Sequence, residues 1–456
     1  MTATERPISE DFLNQMQLLL GSDFDAFRES LDMVPPVSLR LHSRKGMTPN
    51  PDWETIPWIK GGYYLPSRPV FTLDPVFHAG AYYVQEASSM LLDPVLRQLL
   101  EDQKPVRVLD LCGAPGGKST LIASLLPAGS LLVTNEVIQS RGAVLRQNME
   151  KWGFSNQIVT QLDARDFAPL AGFFDLILVD APCSGEGLFR KDLNARSEWS
   201  PEHVHFCAGR QKRILNDCVP LLAPGGHLVY STCTYNASEN ELNAAWLQAE
   251  YGLQVYRAKL DPSWGLVAKQ AGYQAYPHKL RGEGFYFSVF TRETGTPFQR
   301  KRQYSLPTDW ALAGKKQIPL WADWLEAPMD FAYLQHSNGS VRFFPAGLQE
   351  DVLTVLGEIG KGWVGTSAGQ LKGKSFIPDQ ALAWSLHLSA TTPAIELSRD
   401  KALQFLKGES FQKEPDWPIG WQLIRYQGFG LGWVKVLPNR INNYLPKSLR
   451  IRMAIS

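Results

Sequence analysis

Residues Val106–Thr120 read VRVLDLCGAPGGKST, and the order of the parts in this stretch decides the fold. A short Val/Leu-rich run has the look of a buried strand. The Cys-Gly-Ala-Pro-Gly-Gly turn after it reverses the chain, and Lys118–Leu126 reads as a helix. Further apolar runs follow at intervals: SLLVTNE, NQIVTQLD, FDLILVDAP and HLVYSTC, with a second helix expected over Gln139–Trp152. Strands alternating with helices predict an α/β fold. Its parallel sheet is doubly wound, and its ligand lies beyond the carboxyl ends of the strands.

On either side the pattern changes. An amphipathic helix is expected over Phe12–Leu20, then the strand-like PPVSLRLHSRK and WETIPWIKGGYYLPSRP, then a helical Ala81–Leu100, making an N-terminal α+β region. Beyond FYFSVFTR a polar, basic stretch, RETGTPFQRKRQYSLPTD, reads as a linker, and strand-like runs resume from about residue 331. The expected division is therefore 1–100, 101–293, a linker over 294–330, and 331–456.

The 456 residues are 44% hydrophobic and 20% charged, which excludes wholesale disorder and fibrous folds. Lys and Arg number 46 against 45 Asp and Glu, so any surface for a polyanion must be local. The last forty residues supply one: they hold Arg425, Lys435, Arg440, Lys447, Arg450 and Arg452 and no acid. Such a basic, aromatic-bearing end suits a phosphate backbone. The five cysteines include no Cys-x-x-Cys pair, so neither a zinc site nor a disulfide framework is expected, and no metal is assigned. No signal-like N-terminus or membrane-length apolar run is seen, and a cytoplasmic protein is expected.

The glycine turn has three readings. A P-loop needs its first glycine where Cys112 stands, and Gly113, Ala114, Pro115, Gly116, Gly117 breaks the dinucleotide pattern. S-adenosylmethionine is the third. Glu136 after the second strand is placed to accept ribose hydroxyls, Asp163 after the third to reach an adenine edge, and Asp180 ends the fourth. Lys118, next to the turn, can contact the reacting centre.

Cys183, in DAPCSGEG, and Cys233, in STCT, each follow a strand on this same edge. A thiolate solves one problem in methyl transfer. Carbon 5 of cytosine is a poor nucleophile until sulfur adds at carbon 6, and an acid at the ring nitrogen, with Asp180 as candidate, assists that addition. Which of the two thiols attacks is left open by this chemistry. Arg190 and Lys191 follow the first cysteine motif and can steer a nucleic-acid backbone.

CGAPGGK, DAPCSGEG and STCT, with YVQEASSM before them and HKLRGEGFYFSVF after, resemble the Nop/Sun family of RNA 5-methylcytosine methyltransferases. The chain is most similar there to the bacterial RsmF-type small-subunit enzymes, and LGWVKVLPNRINNYLPKSLRIRM looks like the end of their PUA-like module. The resemblance implies a Rossmann-like methyltransferase sheet, an N-terminal RNA-docking region and a β-rich PUA-like RNA-binding domain. It also implies S-adenosylmethionine as cofactor, held by Cys112–Lys118, Glu136, Asp163 and Asp180. It makes Cys233 the nucleophile and Cys183 the residue that assists product release. The implied partner is 16S ribosomal RNA or the small subunit, bound also through Lys435, Arg440, Lys447 and Arg450, with nothing demanding more than a monomer. Transfer RNA as substrate, or an RNA-binding assembly factor without catalysis, are the alternative readings.

Overall fold

The apolar runs from Val106 onward lie side by side in one ten-stranded sheet. The structure, a computed structural model, describes residues 7–300, 305–314, 316–373, 375–409 and 412–453. Four residues of the basic stretch expected to be a linker (301–304) therefore lie outside the described residues, as do residues 1–6.

Five strands are parallel, in the spatial order Gln157–Thr160, Leu131–Asn135, Arg107–Asp110, Phe174–Asp180, Leu222–Thr232. Phe285–Thr291 then pairs antiparallel with the last of them. The strand order reverses on either side of Arg107–Asp110, which opens a crevice at the carboxyl ends. Alternation of side chains serves two cores. Leu109, Val133, Ile158, Ile177 and Val179 face one layer of helices, while Val108, Leu132, Val159, Leu176 and Leu178 face the other.

The N-terminal region carries helices Glu10–Leu20 and Phe24–Asp32 and a four-stranded sheet. One reading needs correction here. Ala81–Leu100 is not helical throughout: Tyr82–Val84 is a strand paired with Val37–Leu41, and the α-helix spans only Leu92–Leu99. Two Tyr and a Val suit an extended, half-buried strand, and the partner that holds them is some forty residues upstream.

Two further sheets follow the ten-stranded one. Trp310–Leu312, within the stretch read as linker, pairs with Phe331–His336 in a five-stranded sheet. Phe298 meets Phe173 edge-on at 5.1 Å. A four-stranded sheet, 394–396, 420–426, 429–436 and 441–443, ends the chain. These parts are joined to the ten-stranded sheet through its backbone. Trp363–Val364 adds an antiparallel edge strand to Gln157–Thr160, and Leu386 N–H donates to the Gly153 carbonyl at 3.1 Å. Among the described residues no helix is long and apolar enough to cross a membrane.

Gly153 is the tightest point of this junction. Its φ is +86°, and a Cβ there would lie 2.4 Å from the Trp384 carbonyl oxygen. Gly153→Ala is expected to cost at least about 1–2 kcal/mol of stability from left-handed strain alone. Urea unfolding would measure that cost, with faster amide exchange at Leu386 reporting the loosened junction.

Candidate active site

The parallel register places Asp180 beside Ser231. The two cysteines therefore leave adjacent strands at the same height. Cys183 and Cys233, both half-buried, bring their Sγ atoms to 3.0 Å, and the Cys233 N–H donates to Cys183 Sγ at 3.3 Å. Buried polar groups hold the two turns together. The Ser184 and Thr234 hydroxyls are 3.0 Å apart, and Gly187 N–H donates to the Cys233 carbonyl at 2.8 Å. Glu239, fully buried, accepts from Ser184 N at 2.9 Å, from Ser184 Oγ at 2.5 Å and from Gln211 Nε2 at 2.8 Å.

The hydrogen bond with Cys233, and then burial, push the Cys183 thiol well above its ordinary value, so it keeps its proton. Asp180 accepts from Lys118 Nζ at 2.7 Å and from Ser231 Oγ at 2.8 Å, so both its oxygens are engaged as acceptors. Burial works against the Lys118 ammonium, but the charge and hydrogen bond of Asp180, with a further contribution from Cys233, outweigh it and raise its pKa. Asp180, expected from the sequence to assist at the ring nitrogen, therefore meets Lys118 directly.

The glycine turn is built for close approach. Gly116 has φ +115° and begins helix Gly117–Leu125, and a Cβ on Gly113 would meet Ser119 Oγ at 2.7 Å. Beneath the turn, Ser119 Oγ donates to Asp110 Oδ2 at 2.6 Å, while Asp110 Oδ1 is buried without a partner. Arg141 donates to the Ala114 carbonyl at 2.9 Å and lies 3.5 Å from buried Glu136. Asn148 donates to the Pro115 carbonyl at 2.8 Å. From the N-terminal region, buried Arg40 donates to Thr120 Oγ1 at 2.7 Å and to the Gly117 carbonyl at 3.3 Å. Cys112 is held protonated by burial and by the nearby carboxylates of Asp110, Glu136 and Asp180. The edge is thus rich in carboxylates, and its one lysine is already paired. Such a lining suits hydroxyl groups and a cation and repels a triphosphate.

The remaining expected residues divide. Asp163 caps the turn Ala164–Leu170 through Arg165 N and pairs with Arg213 at 3.2 Å, so its carboxylate already has structural partners. Arg190 is not a surface contact for a nucleic-acid backbone. Its side chain is 5% exposed, pairs with Glu283 at 2.9 Å and donates to the Gly282 carbonyl at 2.5 Å. Lys191 stays partly exposed, 3.8 Å from the same carboxylate. At the C-terminal end Arg440 and Lys447 are exposed, Lys435 lies over the Trp421 ring at 5.5 Å, and Arg450 is half-buried. Among the described residues no group of His, Cys, Asp and Glu is arranged to hold a metal ion. Sequence reasoning missed Asp110, Arg40, Arg141, Ser231 and Glu239. Of these, Ser231, inside the second cysteine motif, and Asp110, at the end of the first strand, carried a local signal.

Comparison with known proteins agrees with this geometry. Residues 97–291 match the family model described as 16S rRNA methyltransferase RsmB/F. Residues 8–87 match the N-terminal domain of 16S rRNA methyltransferase RsmF, and 392–451 the methyltransferase RsmF PUA domain. The chain is 33% identical to ribosomal RNA small subunit methyltransferase F of Shewanella piezotolerans, covering 97% of each protein. It is 31% identical to the protein of that name from Shewanella loihica, over 87% of this chain and 84% of the relative. A methyltransferase homologue from Pyrococcus horikoshii, 27% identical, superposes over 62% of this chain and 95% of its own with a TM-score of 0.52.

Two expectations follow from the buried charges. Burial, opposed by the Ser119 hydrogen bond, raises the Asp110 carboxyl from 3.8 to about 7. The folded protein therefore keeps a proton that the unfolded chain loses. The stability this confers is complete below the unfolded value and is lost as pH rises through about 7. Asp110→Asn cannot ionise, so it should gain on the wild type by on the order of a few kcal/mol between about pH 4 and about pH 8, read from urea midpoints. Arg190→Ala removes the hydrogen-bonded partner of buried Glu283 and leaves it the more distant Lys191 at 3.8 Å, at an expected cost of up to about 3–5 kcal/mol in the same assay.

Proposed function

Because the chain belongs to the ribosomal RNA small subunit methyltransferase F family, we propose that it methylates carbon 5 of a cytosine in 16S ribosomal RNA, using S-adenosylmethionine. The observation that carries this reading is the pair of sulfurs 3.0 Å apart, beside the Lys118–Asp180 pair, on the edge that also bears the glycine turn. Methylation of a base amino group needs no thiol; methylation of a ring carbon does.

The turn fits the cofactor. Gly113 lets the turn pack directly on Ser119, Gly116 takes a left-handed backbone at the start of the helix, and the orphaned Asp110 oxygen can accept from an ammonium or amine. Cys112–Lys118 would hold its methionine part, Glu136 its ribose and Asp163 its adenine, with Asp180 close to the reacting centre. When bound, the cofactor supplies an electrophilic methyl group on a sulfonium.

The residues of this chain do the rest. The contact with Cys233 and burial keep Cys183 protonated, and a thiol is a poorer nucleophile than a thiolate, which supports Cys233 as the attacking sulfur. The Lys118 ammonium favours negative charge on that sulfur and can donate to the ring as N3 gains charge, while Asp180 fixes its position. The Cys233–carbon 6 bond forms and carbon 5 takes the methyl group. Carbon 5 then loses its proton to a base, and the sulfur–carbon bond breaks to restore the ring. Cys183, in contact with the attacking sulfur, assists this last step. The target base must leave its stack to reach the thiol.

Cys233→Ala should lower tritiated-methyl incorporation into 16S RNA by at least about 10³-fold. Cys183→Ala should instead accumulate a covalent protein–RNA band on a denaturing gel. A Cys183→Ala protein that turns over without trapping RNA would overturn the assignment of roles. Bisulfite sequencing of RNA from a deletion strain, showing no lost mark in 16S RNA, would overturn the substrate.

A further inference from the structure

A cavity of about 340 Å³ lies where the C-terminal part of the chain meets the edge of the catalytic sheet that Trp363–Val364 closes. Its walls include the indoles of Trp310 and Trp363, the side chains of Leu334 and Leu356, and Gln161 and Lys361. Resting on the RNA-methylation reading above, we propose that this cavity seats an unstacked nucleobase of the RNA substrate, at a second site distinct from the one holding the reacting cytosine.

Position, shape and charge each support this. Gln161 directly follows strand Gln157–Thr160, so the cavity opens at the same carboxyl end of the sheet as the catalytic crevice. Trp363 is fixed by pairing with Val159, and Trp310 by the edge of His336 at 4.8 Å and 80°. Each indole is half-buried, leaving part of the ring accessible. Every base has a π-face, so two anchored indoles bind one without regard to sequence. The Arg146 guanidinium stacks on Trp363 at 5.0 Å and Lys361 is exposed at the rim, while Arg342 lines the wall paired with Glu150 at 3.4 Å. No Asp or Glu is among the lining residues. A cationic, aromatic cavity suits a polyanion with flat bases and is the opposite of the carboxylate-lined turn that would hold a sulfonium. The volume is at the small end of the range for ligand cavities, which one base fits.

The test uses the full-length protein and three variants: Trp363→Leu, which keeps bulk and loses the ring; Trp363→Phe, which keeps a ring; and Lys361→Glu. Binding of a fluorescein-labelled single-stranded oligoribonucleotide is followed by anisotropy. Methylation of 16S RNA is followed as KM for RNA and KM for S-adenosylmethionine. Trp363→Leu should weaken RNA binding by roughly 5- to 150-fold, with KM for RNA rising and KM for the cofactor unchanged. Trp363→Phe should recover most of the affinity, and Lys361→Glu should weaken binding and flatten its salt dependence. The proposal is overturned if Trp363→Leu binds RNA like the wild type, if Leu and Phe variants weaken it equally, or if only the cofactor KM moves. Failure of the wild type itself to methylate RNA would overturn the underlying reading instead.

Discussion

The parallel pairing of Phe174–Asp180 with Leu222–Thr232, in the register that sets Asp180 against Ser231, is the constraint from which the site follows. A slip of one residue would turn Asp180 and Ser231 to opposite faces and part the two cysteine turns. Both strands are buried in the middle of the sheet, so the register is locked by packing on two faces. Leu176 and Leu178 point one way, Ile177 and Val179 the other. The site is therefore anchored in the most rigid part of the molecule, although its reactive atoms sit in turns.

Around that register the chain spends buried polar groups freely. Glu239 ties the Cys183 turn to helix Pro201–Cys218, and Glu186 accepts from Trp199 Nε1 and Tyr235 N, each at 2.9 Å. Arg190 and Glu283 join the Cys183 segment to the segment before the last core strand. Glu239 and Glu186 each have several donors, which makes their burial tolerable and their geometry unique, whereas Glu283 relies on Arg190. Two thiols held at contact distance need such a frame, because a small displacement would break the contact between them.

The regions outside the catalytic sheet contribute to it directly. Arg40 reaches from the N-terminal sheet to the helix that begins at the glycine turn, and Trp363–Val364 closes the sheet's far edge. An open edge is a hazard for aggregation, and a strand from the chain's own C-terminal part removes it. The same closure creates the aromatic cavity beside Gln161.

The core strands were legible in the sequence because parallel strands buried on both faces leave continuous apolar runs ended by polar turns, and the cysteine, glycine and acid motifs all sit at those ends. Tyr82–Val84 was read as helix because its partner strand is remote, and Arg190 was read as exposed because a local basic pair says nothing of Glu283, some ninety residues away. Sequence alone thus determined the strand–turn–helix order and the chemical groups placed at each strand end, since periodicity and turn chemistry are local properties. Only the tertiary structure decided which groups meet. The contact between sulfurs fifty residues apart, the capture of Asp180 by Lys118 and the burial of Arg190 depend on sheet register and packing, which join distant segments and leave no local trace.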